Sequence, residues 1–251
     1  MVTLPFYETR LEWGRRLALA AEPRLDDARP PRAVLLLQEF LWPILPIMRR
    51  FEPELVIKPA ANPQTVMLLP GFGAHPIRMR WMARKLEAAG HEAKKWGLGY
   101  NLGANKWRFK LVRKRLKKLY KRNKQPVTLV GWSLGGVMAR ELAKRHPKMV
   151  GKVITMGSPF SGSPRANNGW RAYQAIAGHR VDEPEIDTIV AEKPPVETVA
   201  FWSARDGVVA PKCACGKPEE RDRAVALRCT HMGFVMTNEA MAALLSELDR
   251  A

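Results

Sequence analysis

A serine stands between two glycines where an apolar run meets a helix-forming run. Residues 127–130 are mostly apolar and β-branched, the sequence Gly-Trp-Ser-Leu-Gly follows at 131–135, and residues 137–145 favour a helix. A serine in a sharp turn between a strand and a helix presents its hydroxyl as a nucleophile, and the flanking glycines let the two elements approach closely. We therefore predict that Ser133 is a nucleophile. Its place between strand and helix supports this more than the short pattern does.

A serine nucleophile needs a histidine as its base, because a serine hydroxyl is a poor nucleophile at neutral pH until a base accepts its proton. The stretch around Ser133 resembles the nucleophile turn of α/β hydrolases, in which the partners of the serine follow in the order serine, acid, histidine. The chain has five histidines, and four of them come too early: His75, His91, His146 and His179. The order therefore selects His231, although a lone loop histidine is more often structural.

The carboxylate that orients this histidine should lie between the serine and the histidine in the chain. Asp206 comes three residues after a predicted strand at 196–203, at the edge of the sheet where Ser133 is expected. Its competitors are Asp182 and Asp187, in a polar excursion between two strands, and Asp222, beside the last short strand. Asp206 is therefore the predicted acid, and the alternative is a solvated turn aspartate without a catalytic role.

Backbone N–H groups are also needed to stabilise the oxyanion that forms when a carbonyl is attacked. Residues 65–69 form a predicted buried strand, which the sequence Pro-Gly-Phe-Gly at 70–73 ends. In the α/β hydrolases that the serine turn resembles, the first strand-to-helix loop supplies one such donor, and the residue after the nucleophile supplies another. We assign these donors to Phe72 and Leu134; the alternative is an ordinary glycine-rich turn.

A glycine-rich loop at 97–103 follows the predicted strand at 90–96. Because it lies at the carboxyl end of a strand, it should open on the crevice where such sheets bind ligands. We predict that Tyr100 and Asn101 form part of the pocket wall, with Trp132 beside the nucleophile. The loop lacks the full Gly-x-Gly-x-x-Gly pattern of a dinucleotide site, and we predict no cofactor.

The elements that must position these residues alternate between strand and helix. Strands are predicted at 65–69, 90–96, 127–130, 150–156, 196–203 and 224–227, and helices at 76–89, 106–124, 137–145 and 238–249. Such alternation predicts an α/β fold with a mostly parallel sheet and helices on both faces. We expect one catalytic domain at 61–251. The polar segment at 160–195, with one short helical candidate at 170–177, is its predicted lid.

Residues 1–60 are predicted to be an N-terminal helical extension. Residues 11–21 suit a short helix, and residues 33–48 are strongly apolar but interrupted by Pro43 and Pro46. The favoured interpretation is packing against the catalytic domain. The alternative is an interfacial anchor, in which apolar side chains enter lipid beside two arginines. The side chains in question are Phe40, Leu41, Trp42, Ile44, Leu45 and Ile47, next to Arg49 and Arg50.

The chain is strongly basic, with 42 lysines and arginines against 24 acidic residues and a formal net charge of +18. Eleven of these basic residues fall within 106–124, where apolar residues recur at helical spacing as Phe109, Val112, Leu116 and Leu119. We expect a helix that covers the sheet with one face and presents cations on the rest. The charge alone suits an anionic membrane surface and nucleic acid equally. The partner expected besides the substrate is an anionic membrane, contacted peripherally through 106–124 and 33–50, and specific nucleic-acid binding is not expected.

Location is predicted from two patterns that the sequence lacks. There is no apolar run of the roughly 20 residues that a membrane-spanning helix needs, and no secretory signal pattern at the start. We therefore expect a cytoplasmic protein, with peripheral attachment to the inner membrane as the alternative.

Five motifs together resemble those of bacterial lipase/esterase-like α/β hydrolases, from about residue 64 onward. They lie at 69–73, 96–103, 131–136, 157–160 and 206–209. The resemblance implies carboxylic ester hydrolysis through an acyl-enzyme, with Ser133, Asp206 and His231 as the catalytic triad. Acyl transfer and thioester cleavage use the same triad. A non-catalytic scaffold that binds membrane or nucleic acid is the alternative outside enzymes.

The three cysteines open a further alternative. They are Cys213, Cys215 and Cys229, and with His231 they supply the ligand types of a structural zinc site with three cysteines and one histidine. Zinc would occupy the imidazole that the triad needs. Because the Cys-x-Cys spacing is shorter than is usual for zinc, we predict no metal site.

Overall fold

The computed structural model describes residues 5–24, 28–52 and 54–250. At its centre, this part of the chain forms a six-stranded sheet in which every neighbouring pair runs parallel. The strands are β1 (Thr65–Leu69), β2 (Glu92–Lys95), β3 (Val127–Trp132), β4 (Val150–Met156), β5 (Glu197–Ser203) and β6 (Arg223–Leu227). Their spatial order is β2-β1-β3-β4-β5-β6. The predicted α/β architecture with a parallel sheet is thus confirmed.

Helices cover both faces of this sheet, as parallel strands joined by crossovers require. In chain order they are α1 (Pro5–Ala21), α2 (Ala33–Glu39), α3 (Leu45–Met48), α4 (Arg80–Ala88), α5 (Lys106–Asn123), α6 (Leu134–Arg145), α7 (Trp170–Ala177), α8 (Pro211–Cys215) and α9 (Asn238–Leu248). Residues of α4 and α9 share one core cluster with the sheet, and residues of α5 and α6 share another. The carboxyl ends of the strands therefore meet at one edge, between these two layers.

Several boundaries differ from those predicted. Strand β2 is shorter than residues 90–96, and the predicted helix at 76–89 begins as a 3-10 turn at Pro76–Met79 before α4. Helix α6 begins at Leu134 rather than at residue 137. Gly135 and Gly136 suggested that the turn continues, yet both lie in the helix, where an added Cβ would clash with neighbouring atoms.

Helix α5 places its apolar and basic residues as its spacing predicts. Phe109, Val112, Leu116 and Leu119 are buried against the sheet. The Asn105 side chain caps the helix by accepting from the Arg108 N–H at 2.8 Å. Lys124, in the left-handed conformation with φ 54°, ends the helix. One face of α5 therefore belongs to the core, and the rest carries its cations outward.

Helices α1, α2 and α3 lie within the predicted N-terminal extension, and α1 packs on the polar segment at 160–195. Helix α1 lies against α7, and the buried Arg165 side chain binds the Glu22 carboxylate at 2.7 Å and the Asp182 carboxylate at 2.7 Å. Packing does not cover the whole extension, since the large side chains of Phe40, Leu41, Ile44 and Ile47 remain exposed. The domain limits and the role of residues 160–195 as a lid stay predictions.

The prolines break the apolar run at 33–48 as predicted. Helix α2 ends at Glu39, and short 3-10 turns at Trp42–Ile44 and Arg49–Phe51 flank α3. Across the described ranges, no helix is both long and apolar enough to cross a bilayer.

Candidate active site

Ser133 occupies the turn between β3 and α6 in a strained conformation. Its φ of 54° and ψ of −126° lie where residues other than glycine are rarely found. Its N–H donates to the Met156 carbonyl at 2.9 Å, and its carbonyl accepts from the Gly136 N–H at 2.9 Å. The backbone on both sides thus holds the half-buried serine at the carboxyl end of the strand.

The glycines of this turn are required by close approach of backbone to backbone. A Cβ at Gly131 would lie 2.4 Å from the Gly136 nitrogen, and a Cβ at Gly135 would lie 2.2 Å from the Leu69 carbonyl oxygen. Neither distance leaves room for a methyl group. Strand β3, helix α6 and the end of β1 therefore meet at a spacing that only glycine permits.

Asp206 follows β5 and is buried completely. One carboxylate oxygen, Oδ1, accepts from the N–H groups of Val208 and Val209, both at 2.8 Å. The other, Oδ2, lies 2.8 Å from Nδ1 of His231. The chain thus gives each oxygen of this carboxylate a partner and aims one of them at the histidine.

His231 is buried beside Trp132, the residue that precedes Ser133. The Trp132 Nε1–H donates to the His231 carbonyl at 3.0 Å, which links the serine turn to the histidine loop. An ionised carboxylate only accepts hydrogen bonds, so Nδ1 of His231 carries a proton toward Asp206. Nε2 is then the ring nitrogen left to accept a proton from a nucleophile.

Two opposing influences act on the pKa of His231. Burial lowers it, while the charge and hydrogen bond of Asp206 and the charge of Glu39 raise it. The attraction outweighs the burial, so the pKa of His231 lies above its usual value. The site therefore favours the imidazolium, which is the form that a histidine base takes after it accepts a proton.

Glu39, at the end of α2, is a site residue that the sequence analysis missed. Its carboxylate is 4% exposed and accepts from the backbone N–H groups of Gly207, His231 and Met232 at 2.8, 2.6 and 3.0 Å. It lies 168 residues before Gly207 in the chain, so no local pattern joins the two. The one available signal was that Glu39 is the single charged residue in the apolar run at 33–48.

The three predicted triad residues are not all joined by hydrogen bonds. Asp206 and His231 are hydrogen-bonded, but among the contacts of the described residues no hydrogen bond joins Ser133 to His231. Catalytic hydrogen bonds are often long in proteins without substrate and tighten in the complex. The assignment of the three residues to a triad stays a prediction.

The two predicted oxyanion donors flank the serine. A Cβ at Gly71, the residue before Phe72, would lie 3.0 Å from the Ser133 Cβ, so this loop touches the serine. The next N–H groups in the loop are used, since Gly73 donates to Asn101 and Ala74 donates to Gly71. The N–H groups of Phe72 and Leu134 donate to no acceptor in the described part of the chain. Both remain candidate donors.

The predicted pocket-wall residues have different surroundings. Asn101 is 0% exposed, and its side chain donates to the Pro70 carbonyl at 2.8 Å, so it braces the loop before Phe72 and does not line an open pocket as predicted. Trp132 is also buried and contacts His231. Tyr100 is 62% exposed beside the His75 ring and stays a candidate for substrate contact. A buried asparagine and an exposed one give the same sequence signal in a glycine-rich loop.

The cysteines do not assemble the zinc site considered as an alternative. Cys213, Cys215 and Cys229 are free thiols. Over the described ranges, no three histidine, cysteine, aspartate or glutamate side chains are grouped so that they could hold a metal ion. Nδ1 of His231 faces Asp206 instead.

Comparison with known proteins bears on the fold of this chain. A family model of the alpha/beta hydrolase fold matches residues 69–176. The chain is 32% identical over 117 residues to the biotin biosynthesis bifunctional protein BioHC of Teredinibacter turnerae, a match that spans 43% of this chain and 19% of that relative.

Solved structures extend the likeness over most of the chain. The mature form of the Bacillus licheniformis lipase BlEst2 has 16% identity and a TM-score of 0.57, covering 78% of this chain and 96% of the lipase. A thioesterase domain from the curacin biosynthetic pathway has 15% identity and a TM-score of 0.50, covering 76% and 92%. At such identities the likeness establishes the α/β-hydrolase fold, and the candidate site lies at the carboxyl edge of its sheet.

Proposed function

We propose that this chain, which has the α/β-hydrolase fold, is a serine hydrolase that cleaves carboxylic esters through an acyl-enzyme. The observation that carries the proposal is the buried pair of Asp206 and His231, 2.8 Å apart, next to the turn that strains Ser133. A buried carboxylate that orients an imidazole near a serine nucleophile is the arrangement that acyl transfer to serine requires.

The proposed reaction has two halves. The Oγ of Ser133 attacks the ester carbonyl while Nε2 of His231 accepts the hydroxyl proton, and Asp206 stabilises the imidazolium. When the tetrahedral intermediate collapses, the C–O bond to the alcohol breaks and His231 returns the proton to that alcohol. A water molecule then attacks the acyl-enzyme, His231 accepts its proton, and the acid leaves as Ser133 recovers its hydrogen.

Oxyanion stabilisation would come from the N–H groups of Phe72 and Leu134. Both lie in segments that contact Ser133, and both lack an acceptor among the described residues. Loss of one such donor typically costs about 100- to 1000-fold in rate. These two N–H groups would therefore stabilise the oxyanion, which is a role that no side chain of the triad performs.

Transfer of the acyl group to an acceptor other than water, and thioester cleavage, are the nearest alternatives. The likeness to a thioesterase domain and to a lipase keeps both thioesters and oxygen esters as candidate substrates. A non-catalytic scaffold is the alternative outside enzymes. The strained backbone of Ser133 and the hydrogen bond that orients His231 count against a scaffold. Backbone strain costs free energy and is found mainly at functional sites.

The proposed substrate is a small-molecule or lipid ester, and we also propose peripheral contact with an anionic membrane. Exposed apolar side chains at 33–50 and the cationic face at 106–124 support that contact. Each basic residue near an anionic bilayer adds about 1 kcal/mol of attraction.

The test is steady-state hydrolysis of nitrophenyl esters of increasing acyl length by the wild type and by Ser133→Ala. We expect measurable turnover by the wild type and a loss of several orders of magnitude in the variant. Analysis of the products with an acyl thioester, and with an added alcohol acceptor, separates thioesterase and transferase activity. If Ser133→Ala keeps most of the activity, the proposed mechanism is wrong.

A further inference from the structure

We propose that Glu39 is a positioning residue for the catalytic histidine and acid. Helix α2, which ends at Glu39, would then help to hold the active site in its reactive geometry. This inference rests on the proposed serine hydrolase function. It assigns a role in the reaction to a segment that lies before the first strand of the sheet.

The contacts of Glu39 join the two loops that carry the predicted acid and base. Its Oε1 accepts from the N–H of Gly207, which follows Asp206, and from the N–H of His231 itself. Its Oε2 accepts from the N–H of Met232. A single carboxylate thus holds the backbones of both loops through three hydrogen bonds of 2.6 to 3.0 Å.

Helix α2 is also held tightly against the acid loop. A Cβ at Gly207 would lie 2.3 Å from the Leu35 carbonyl oxygen, so the two backbones are in direct contact. The Asn168 side chain donates to the carbonyl of Gly207 at 2.8 Å and to that of Pro31 at 3.2 Å. Glu39 therefore enters the site from a backbone whose position is already set.

The charge of Glu39 has no countercharge other than the histidine. Within the described ranges no lysine or arginine forms an ion pair with it, and the backbone N–H groups satisfy its oxygens. The charged groups that act on His231 are Asp206 and Glu39. The nearby Cys229 stays a neutral thiol, because burial raises its pKa. Two carboxylates thus stabilise the imidazolium that forms when Ser133 loses its proton.

A cap with a purely structural role would have the same hydrogen bonds, so the test must separate charge from packing. Glu39→Gln removes the charge and keeps one oxygen for the N–H groups of Gly207 and His231, while its amide nitrogen, a donor, leaves the Met232 N–H without its acceptor. Glu39→Asp keeps the charge and shortens the side chain by one methylene. Glu52→Gln is the matched control, since Glu52 lies in the same extension and accepts a backbone N–H at 2.9 Å from Asn238, away from the site.

The measurement is the rate of labelling by a fluorophosphonate probe as a function of pH in the full chain, because it reports the free enzyme's base. For Glu39→Gln we expect roughly a 10- to 100-fold slower reaction and an acid limb displaced to lower pH. For Glu39→Asp we expect a slower reaction with the limb close to that of the wild type. The Glu52→Gln profile should match the wild type.

The outcomes distinguish this inference from the function on which it rests. If the wild type is not labelled, the proposed function fails and this role fails with it. If the wild type is labelled and Glu39→Gln has the same rate and the same acid limb, only the role of Glu39 is overturned. Should Glu39→Gln fail to fold, the Nδ1–H proton resonance of His231 in Glu39→Asp decides: a shift from the wild type supports the role, and an unchanged resonance contradicts it.

Discussion

The surroundings of His231 determine how activity and stability should depend on pH. Its charges and hydrogen bond raise the pKa against the effect of burial. A general base must be neutral, so activity should rise as the pH passes upward through a pKa above about 6.5. The stability gained from the charged histidine has the opposite trend: it is present below about pH 6.5 and is lost as the pH rises through the raised pKa.

The pH dependence of kcat/KM for an ester substrate checks this prediction. Asp206→Asn should move the acid limb to lower pH, because it removes the charge that raises the pKa. An acid limb below about pH 6 in the wild type would contradict the predicted balance of burial and charge.

Gly135 makes a second prediction at the scale of a residue. In Gly135→Ala the new methyl group would lie 2.2 Å from a backbone oxygen of β1, so the serine turn must shift. We expect a loss of about 1–3 kcal/mol in the free energy of unfolding and slower labelling of Ser133. Urea denaturation measures the first.

The control for this variant is Gly14→Ala. Gly14 lies in α1 with nothing within 4 Å of its added methyl group, so this change should stabilise the helix by about 0.5–1 kcal/mol. If the two alanine variants unfold alike, the close approach at Gly135 does not limit the turn.

Chain order and strand ends are enough to nominate a nucleophile, an acid and a base from the sequence, and these roles stay predictions. The sequence did not predict Glu39, because contacts between α2 and loops more than 160 residues away leave no periodic signal. It misassigned Asn101, because burial of a loop side chain depends on tertiary packing. Chemistry and chain order can thus suggest a role for a residue, whereas its burial depends on packing that the sequence does not show.

Among the elements, α5 separates the core from the charged surface most clearly. Leu116 is buried against the sheet, while the neighbouring Lys117 is exposed. Leu116→Ala should lower the free energy of unfolding by about 2–5 kcal/mol, because it leaves a cavity. Lys117→Ala should change it by no more than about 0.5 kcal/mol. Denaturant unfolding of both variants is the measurement, and equal effects would mean that α5 is not packed on the sheet.

Element boundaries were predicted best where one pattern dominates. Strands β1 and β4 and helix α7 have the predicted limits, since apolar runs or turn residues bound them. The boundaries within the N-terminal extension were harder to predict, because the prolines and apolar residues at 33–48 fit several short helical arrangements. The arrangement observed there is α2, α3 and two 3-10 turns.

For the whole molecule, the net charge of +18 predicts salt-dependent binding to anionic vesicles. Four exposed lysines without an ion-pair partner in the described structure follow one face of α5 at helical spacing: Lys114, Lys117, Lys118 and Lys121. Replacing all four by glutamine should weaken binding by about 1 kcal/mol for each lysine that reaches the surface. Vesicle flotation at low and high salt measures this.

A control with the same change in net charge separates the contribution of the α5 face to vesicle binding from that of net charge alone. Four exposed basic residues elsewhere serve: Arg10, Arg24, Lys58 and Lys148. Replacing these should weaken binding less than replacing the α5 lysines. Binding that is equal on neutral vesicles, or indifferent to salt, would contradict the membrane proposal.

The measurement that tests the central claim most directly is labelling of the full chain with a fluorophosphonate probe, followed by mapping of the labelled peptide. The probe reports an activated serine whatever the substrate is. We predict labelling at Ser133 that is lost in His231→Ala. Labelling at another residue, labelling that persists in His231→Ala, or no labelling with or without detergent would contradict a serine hydrolase built on Ser133, Asp206 and His231.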